Sequence, residues 1–139
     1  MKYTGKKNSE GKPHGQGTVT YADGETYSGQ FKDGERTGQG IHTYADGTVA
    51  FTGEWKDGKG NGQGTVAYAN GTTYTGAFKD DLFNGQGTLT LADGITRSGE
   101  WKDGKLNGHG TDTWADGTTY TGEWQNGQQH GQGTIRGLE

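Results

Sequence analysis

The stretch that decides the fold is Tyr27-Ser28-Gly29-Gln30-Phe31-Lys32-Asp33-Gly34, which is followed by Gly38-Gln39-Gly40 and then by Asp46-Gly47. Its first part carries aromatic residues and glycine at every second position, and this is the period of a β-strand. Asp-Gly dipeptides are typical of tight turns, because Asp and Gly tolerate positive φ. The stretch therefore predicts a β-hairpin.

The same stretch recurs along the whole chain. Its Gly-x-Gly pairs begin at positions 15, 38, 62, 85, 108 and 131, so that successive copies are 23 or 24 residues apart. Regular spacing of this kind is the sequence signature of a repeat protein. It argues against the disorder that 30 glycines and a hydrophobic fraction of 25% would otherwise suggest.

We therefore predict an all-β array in one domain, residues 1–139, with about twelve short antiparallel strands, two in each of six hairpins stacked along one axis. The third copy has one residue more between Gly47 and Phe51 than its neighbours, which predicts a β-bulge near residues 48–50. Leu138-Glu139 is interpreted as a cloning remnant, after which the natural protein would continue. The repeat units are approximately 3–24, 27–47, 51–71, 74–94, 97–117 and 120–136.

Strand alternation separates two kinds of residue onto the two faces of the predicted sheet. The aromatic residues and glycines share the face that carries Tyr27, Gly29 and Phe31, which we call the ring face. The opposite face carries Thr, Ser, Gln and Glu. By this count fourteen of the fifteen aromatic residues lie on the ring face, and the exception is Phe83. Because glycine is unfavourable in a strand, its recurrence predicts that rings lie flat on the neighbouring backbone.

These residues resemble the MORN (membrane occupation and recognition nexus) repeat, whose unit reads approximately Y-x-G-x-W-x-x-G-x-x-x-G-x-G-x-x-x-x-x-x-G. The resemblance extends from Tyr3 to about Ile135, with Lys7 and Arg97 in place of expected aromatic residues and Asp81 in place of a turn glycine. It implies an elongated, single-layer, twisted antiparallel sheet, similar to a solenoid. It also implies a scaffold or partner-binding role, often beside another domain.

A sheet of one layer leaves part of its apolar strip open to water, and extended exposed apolar surface usually marks an interaction site. We therefore predict that a protein or peptide segment, or a second copy of the array, binds in an aromatic and glycine groove on the ring face. His42 and Asp112 interrupt this strip; they lie either at a wet margin or where they hydrogen-bond to a ligand. The candidate groove residues are Tyr27, Phe31, His42, Tyr44, Phe51, Trp55, Val66, Tyr68, Tyr74, Phe78, Leu89, Leu91, Trp101, Asp112, Trp114, Tyr120 and Trp124.

A second candidate contact is Leu82-Phe83, a pair of large apolar residues in a turn that elsewhere reads Lys59-Gly60 or Lys105-Leu106. The pair either packs locally against the next hairpin or forms part of an interface between molecules. A change of oligomeric state on the substitution Phe83→Asp would distinguish the two.

No catalytic constellation is found, and we expect the protein not to be an enzyme and to need neither cofactor nor metal. The chain has no Cys, and the glycine-rich stretch 58–64 does not follow the Walker pattern. His14, His42, His109 and His130 have no close-spaced ligand cluster around them. The Asp-Gly turns lack the oxygen-ligand density of a calcium loop.

Charge and composition narrow the partners and leave alternatives. A formal net charge of −4 without a basic face excludes a typical nucleic-acid binder and disfavours a membrane-lipid binder. Evenly spaced rings could instead bind carbohydrate or cell wall, and the array could also target a larger enzyme. With no signal peptide, transmembrane segment or Cys, a cytoplasmic location is favoured.

Overall fold

The structure is a computed structural model that describes residues 1–137. The interpretation of Leu138-Glu139 as a cloning remnant falls outside these residues. Contacts divide the chain into two compact units, Met1–Val66 and a second unit that begins at Ala67. Every regular secondary-structure element within residues 1–137 is a β-strand, so the all-β class is confirmed.

In the first unit each strand pairs with the next one along the chain in antiparallel orientation. The unit is therefore a single sheet in chain order. Its strands are β1 (Lys2–Lys7), β2 (Pro13–Thr20), β3 (Thr26–Lys32), β4 (Glu35–Thr43), β5 (Val49–Lys56) and β6 (Lys59–Ala67).

The second unit repeats this arrangement, again with antiparallel neighbours in chain order. The predicted number of about twelve strands is thus confirmed for residues 1–137. The strands of this unit are β7 (Thr73–Lys79), β8 (Leu82–Thr90), β9 (Thr96–Lys102), β10 (Lys105–Thr113), β11 (Thr119–Gln125) and β12 (Gln128–Arg136).

Two kinds of turn join the strands; they alternate from β2 onward within each unit, and the loop between β1 and β2 is of the longer kind. The shorter kind, as at Asp33-Gly34, has positive φ at both residues, 49° and 92°, which is the requirement of a type I′ hairpin turn. The amide of Gly34 also donates to the Pro13 carbonyl at 2.8 Å, so the turn is tied to the preceding hairpin. Asp57-Gly58, Asp80-Asp81, Asp103-Gly104 and Asn126-Gly127 have the same backbone.

The Ala-Asp-Gly turns, which we expected to be tight hairpin turns, form the longer kind of loop. In the first of them the amide of Tyr21 donates to the Glu25 carbonyl at 2.8 Å, and the carboxylate of Asp23 accepts from the amide of Glu25 at 2.9 Å. Only Gly24 has positive φ there. In the next such loop, the carboxylate of Asp46 accepts hydrogen bonds from the amide and the hydroxyl of Thr48, and these bonds lower the pKa of Asp46.

Bulges change the pairing register between neighbouring strands in two ways, one found in the third copy and one that recurs. Between the pairs His42↔Phe51 and Thr43↔Val49, the residue Ala50 is left over on β5 and is buried, so the predicted bulge near residues 48–50 is confirmed. A second irregularity recurs in most hairpins near the first glycine of Gly-x-Gly. Gly38, which lies between the pairs Gln30↔Thr37 and Gly29↔Gly40, has a φ of 59°.

The core of each unit lies on the ring face, where aromatic rings cover glycine backbone as predicted. Tyr27 has no exposed surface, and a Cβ built on Gly40 would lie 2.5 Å from Tyr27 Cζ. The Tyr27 hydroxyl donates to the Gln30 carbonyl at 3.0 Å. Tyr3, Phe51, Tyr74 and Tyr120 cover the corresponding glycines of their own hairpins.

Candidate binding face

Rings on the ring face of the first unit pack edge to face in a continuous row. Phe31 lies between Tyr3 and Tyr27, with ring centroids 5.4 and 5.1 Å away, and Trp55 lies between Tyr27 and Phe51, at 5.2 and 4.9 Å. Edge-to-face contacts at these distances are favourable because they bring the positive edge of one ring to the negative face of the next. Phe31 and Trp55, the second aromatic residues of their repeats, therefore each link the leading ring of their own hairpin with that of the preceding one.

Burial in this row changes the chemistry of its tyrosines. Desolvation raises the pKa of Tyr27 to about 12, although the nearby Arg36 guanidinium acts in the opposite direction. In the second unit, burial likewise raises the pKa of Tyr74 to about 12. Both hydroxyls therefore remain protonated near neutral pH and serve as hydrogen-bond donors, Tyr74 to the Ala77 carbonyl at 2.9 Å.

Phe83 corrects the sequence-based assignment of faces. Its ring stacks on Tyr74 with 3.8 Å between centroids and an interplanar angle of 4°, and it meets Phe78 and Trp101 edge to face. The reason is that Phe83 pairs directly with Phe78 across β7 and β8, and directly paired residues point to the same face. Phe83 therefore packs locally on the ring face, while its neighbour Leu82 is 47% exposed.

Tryptophan indoles tie neighbouring hairpins together. Trp55 Nε1 donates to the Gly40 carbonyl at 3.2 Å, and Trp101 Nε1 donates to the Gly87 carbonyl at 3.0 Å. Trp124 Nε1 is buried and has no hydrogen-bond partner within residues 1–137. A buried donor without a partner costs about 1–3 kcal/mol, so the hydrogen bonding of the Trp124 indole is less complete than that of Trp55 and Trp101.

The Arg97–Asp112 pair replaces a ring in the fifth hairpin. Arg97 Nε and Nη2 donate to the two carboxylate oxygens of Asp112 at 2.8 and 3.0 Å, and the guanidinium lies 4.7 Å from the centroid of Trp124. Leu106 fills the space over Gly110 that a ring covers elsewhere. Asp112 is only 3% exposed, so the expectation of a wet margin is wrong for this residue.

His42 and Arg36, the other polar groups on this face, also have partners of their own. His42 Nε2 lies 2.6 Å from Glu25 Oε1, and the His42 ring stacks on Tyr21 with 6.2 Å between centroids. Arg36 donates to the Tyr21 hydroxyl, and its guanidinium lies 4.8 Å from the ring centroids of both Tyr27 and Trp55. The roles of Glu25, Arg36 and Arg97 do not follow from the repeat pattern, and of these three residues only Arg97 is a visible departure from it.

The candidate groove residues divide into a buried and a more accessible set. Nine of them are buried: Tyr27, Phe31, Trp55, Tyr74, Phe78, Trp101, Asp112, Tyr120 and Trp124. The other eight, which we call the margin residues, are half-buried or exposed: His42, Tyr44, Phe51 and Val66 in the first unit and Tyr68, Leu89, Leu91 and Trp114 in the second. Among the candidate residues the accessible side chains are therefore the margin residues, and of these Phe51 also belongs to the row of packed rings.

The opposite face is polar and hydrogen-bonded across strands. Thr18 and Ser28 share a hydroxyl hydrogen bond at 3.1 Å, and Thr111 and Thr121 do the same. Ile41, which pairs with Ser28 and Thr52, is an exception and is 41% exposed. Among residues 1–137 no cluster of three or more potential metal ligands is found, and no helix there is long and apolar enough to cross a membrane.

Comparison with known families agrees with this geometry. The model of the MORN repeat matches six segments, at residues 9–26, 27–49, 51–73, 74–96, 98–119 and 120–137. A search of the curated proteins finds no match. The predicted resemblance, six copies along the chain, is thus confirmed.

Proposed function

Because this chain belongs to the MORN repeat family, we propose that it is a non-enzymatic protein-binding scaffold whose partner contacts the margin residues of the ring face. MORN repeats are generally involved in protein or membrane-lipid interactions. The formal net charge of −4 favours the first of these two, since anionic lipid headgroups attract basic surfaces. The proposed partner is an extended segment of another protein.

The single observation that supports this proposal is the division of burial on the ring face. The central rings bury one another, whereas Tyr68 is 43% exposed and His42, Tyr44, Leu91 and Trp114 are half-buried. Aromatic side chains with an apolar body and a polar tip are enriched in protein interfaces. The margin therefore offers a partner apolar area that the fold of each unit leaves accessible.

Affinity capture from the native cell, followed by NMR titration with the captured partner, tests this proposal. We expect the partner to shift the resonances of the margin residues and the substitution Tyr68→Ser to weaken capture. Ile41→Thr is the matched control, because Ile41 is also about two-fifths exposed but lies on the opposite face. Shifts confined to the Thr and Gln side chains of that opposite face would contradict the proposal.

Self-association is an alternative outcome of the same experiment. Leu82, which is 47% exposed and is the first residue of β8, directly after the tight turn and not in it as expected, is the candidate contact. If the partner is a second copy of the array, sedimentation equilibrium should report a dimer that Leu82→Asp disrupts. An unchanged oligomeric state would leave Leu82 as an exposed residue at the start of β8.

A further inference from the structure

A cavity of about 300 Å³ opens beside the ring face of the first unit. Its walls include the side chains of Tyr3, Val19 and Phe31, and Met1 also lines it. Among the lining residues that the structure describes, Lys7 and Arg36 are the only ones with charged side chains. The volume is at the lower end of the roughly 300–1,000 Å³ that small-molecule sites span. An aromatic wall with cationic groups and no carboxylate suits a compact aromatic anion.

The repeat pattern explains why the cavity suits an aromatic ring. Hairpins after the first carry a second ring two residues beyond the glycine, as Phe31 follows Gly29, but the first hairpin has Lys7 there. Lys7 is exposed, so the first hairpin contributes only the ring of Tyr3 to the row. An aromatic ligand beside Tyr3 would add the kind of edge-to-face contact that Phe31 already makes with Tyr3 at 5.4 Å.

The charges around the cavity explain why it suits an anionic group. No carboxylate lies within ion-pair distance of Arg36 or Lys7 among residues 1–137, whereas Arg97 in the second unit is neutralised by Asp112. A guanidinium has five N–H donors, and Arg36 uses one of them on the Tyr21 hydroxyl. The first hairpin, residues 1–20, has four Lys and one Glu, which is a net charge of +3 in a chain of −4.

We infer that this cavity binds a small aromatic carboxylate. The aromatic ring of the ligand lies against Tyr3 and Phe31, and its carboxylate accepts hydrogen bonds from the Arg36 guanidinium and the Lys7 ammonium. Charge-assisted bonds of this kind are about twice as strong as neutral ones. The site goes beyond the proposed protein-binding function, because none of the margin residues lines this cavity.

An NMR titration of the whole chain with 3-phenylpropionate tests the inference. We expect saturable shifts at the amides of Val19, Phe31 and Arg36. The neutral analogue 3-phenylpropan-1-ol and acetate, which lacks the ring, should each bind at least about tenfold more weakly. Lys7→Gln should weaken 3-phenylpropionate about fivefold to tenfold, and Arg36→Gln at least as much.

Lys59→Gln is the matched control, because Lys59 is an exposed lysine of the same unit that does not line the cavity. It should leave the affinity unchanged. Equal affinity of the carboxylate and the alcohol, or equal weakening by Lys7→Gln and Lys59→Gln, would overturn the inference. If Arg36→Gln unfolds the chain because Arg36 packs on rings, the exposed Lys7 decides: an unchanged affinity of Lys7→Gln also overturns it.

Discussion

Gly38 and Gly40 are two residues apart, yet each is glycine for a different reason. Gly38 has a φ of 59°, a conformation that side chains rarely adopt, at the irregularity between β3 and β4. Gly40 has no such backbone, but the ring of Tyr27 lies directly on it. The first glycine of the pair therefore allows the backbone conformation at the irregularity, and the second leaves space for the ring of Tyr27.

Gly40→Ala should destabilise the protein through steric conflict. The added Cβ would lie 2.5 Å from Tyr27 Cζ, and inserting a methyl group into a packed core costs about 1–3 kcal/mol. Gly58→Ala is the comparison, because a Cβ there would have nothing within 4 Å but the φ of Gly58 is 80°. We expect about 1 kcal/mol for that change and a larger loss for Gly40→Ala, measured by urea unfolding. Equal losses would contradict the steric explanation.

The Arg97–Asp112 pair should be replaceable only as a pair. Asp112→Asn leaves a half-buried guanidinium without its counter-charge, and we expect a loss of about 3 kcal/mol in the free energy of unfolding. The double variant Arg97→Leu with Asp112→Val restores the apolar character that Val66 and Leu89 have in the sister hairpins. It should regain most of that loss, as a thermodynamic cycle with the single variants can measure. A double variant no more stable than Asp112→Asn would contradict the prediction that the two residues can be replaced only together.

At the scale of the elements, one tight turn departs from the others in having no glycine at its second position. Asp81 occupies a position that is glycine in the sister turns Asp33-Gly34, Asp57-Gly58 and Asp103-Gly104, and its φ is 71°. A residue with a Cβ in this region costs about 1–2 kcal/mol relative to glycine. The turn therefore holds Asp81 in an unfavourable conformation.

Asp81→Gly should raise the free energy of unfolding by about 1 kcal/mol, because glycine adopts this backbone without steric cost. The control is Asp80→Gly. Asp80 also has a positive φ, 50°, but three of the sister turns keep Asp at this position, so we expect a smaller gain there. Thermal unfolding of the two variants side by side distinguishes them. A gain for Asp80→Gly alone would show that turn backbone is not the cause.

For the molecule as a whole, stability should depend on pH in the alkaline range. Tyr27 and Tyr74, one in each unit, have a folded pKa of about 12 against an ordinary value of 10. The folded chain therefore favours the neutral phenol, and the full contribution of each tyrosine is present below pH 10. It is lost as the pH rises from 10 through 12, on the order of 1–2 kcal/mol per tyrosine.

Urea unfolding at several pH values between 9 and 12 measures this loss. The variant Tyr27→Phe with Tyr74→Phe keeps both rings but has no hydroxyls to ionise, so its stability should fall less steeply over this range. The same slope in the variant and the parent protein would exclude these two tyrosines as the cause.

The features that depend on local pattern follow from the sequence: the strands, the positions of the turns though not the type of the Ala-Asp-Gly loops, the bulge at Ala50 and the rings over glycine. These follow from periodicity and residue geometry, which act over a few residues. The packing of side chains, both across the paired strands of one hairpin and between neighbouring hairpins, depends on the tertiary structure. It buried nine of the seventeen candidate residues, stacked Phe83 on Tyr74 and joined Arg97 to Asp112, fifteen residues away. Alternation assigns a side chain to a face, but its exposure depends on which rings of the adjacent hairpin cover it.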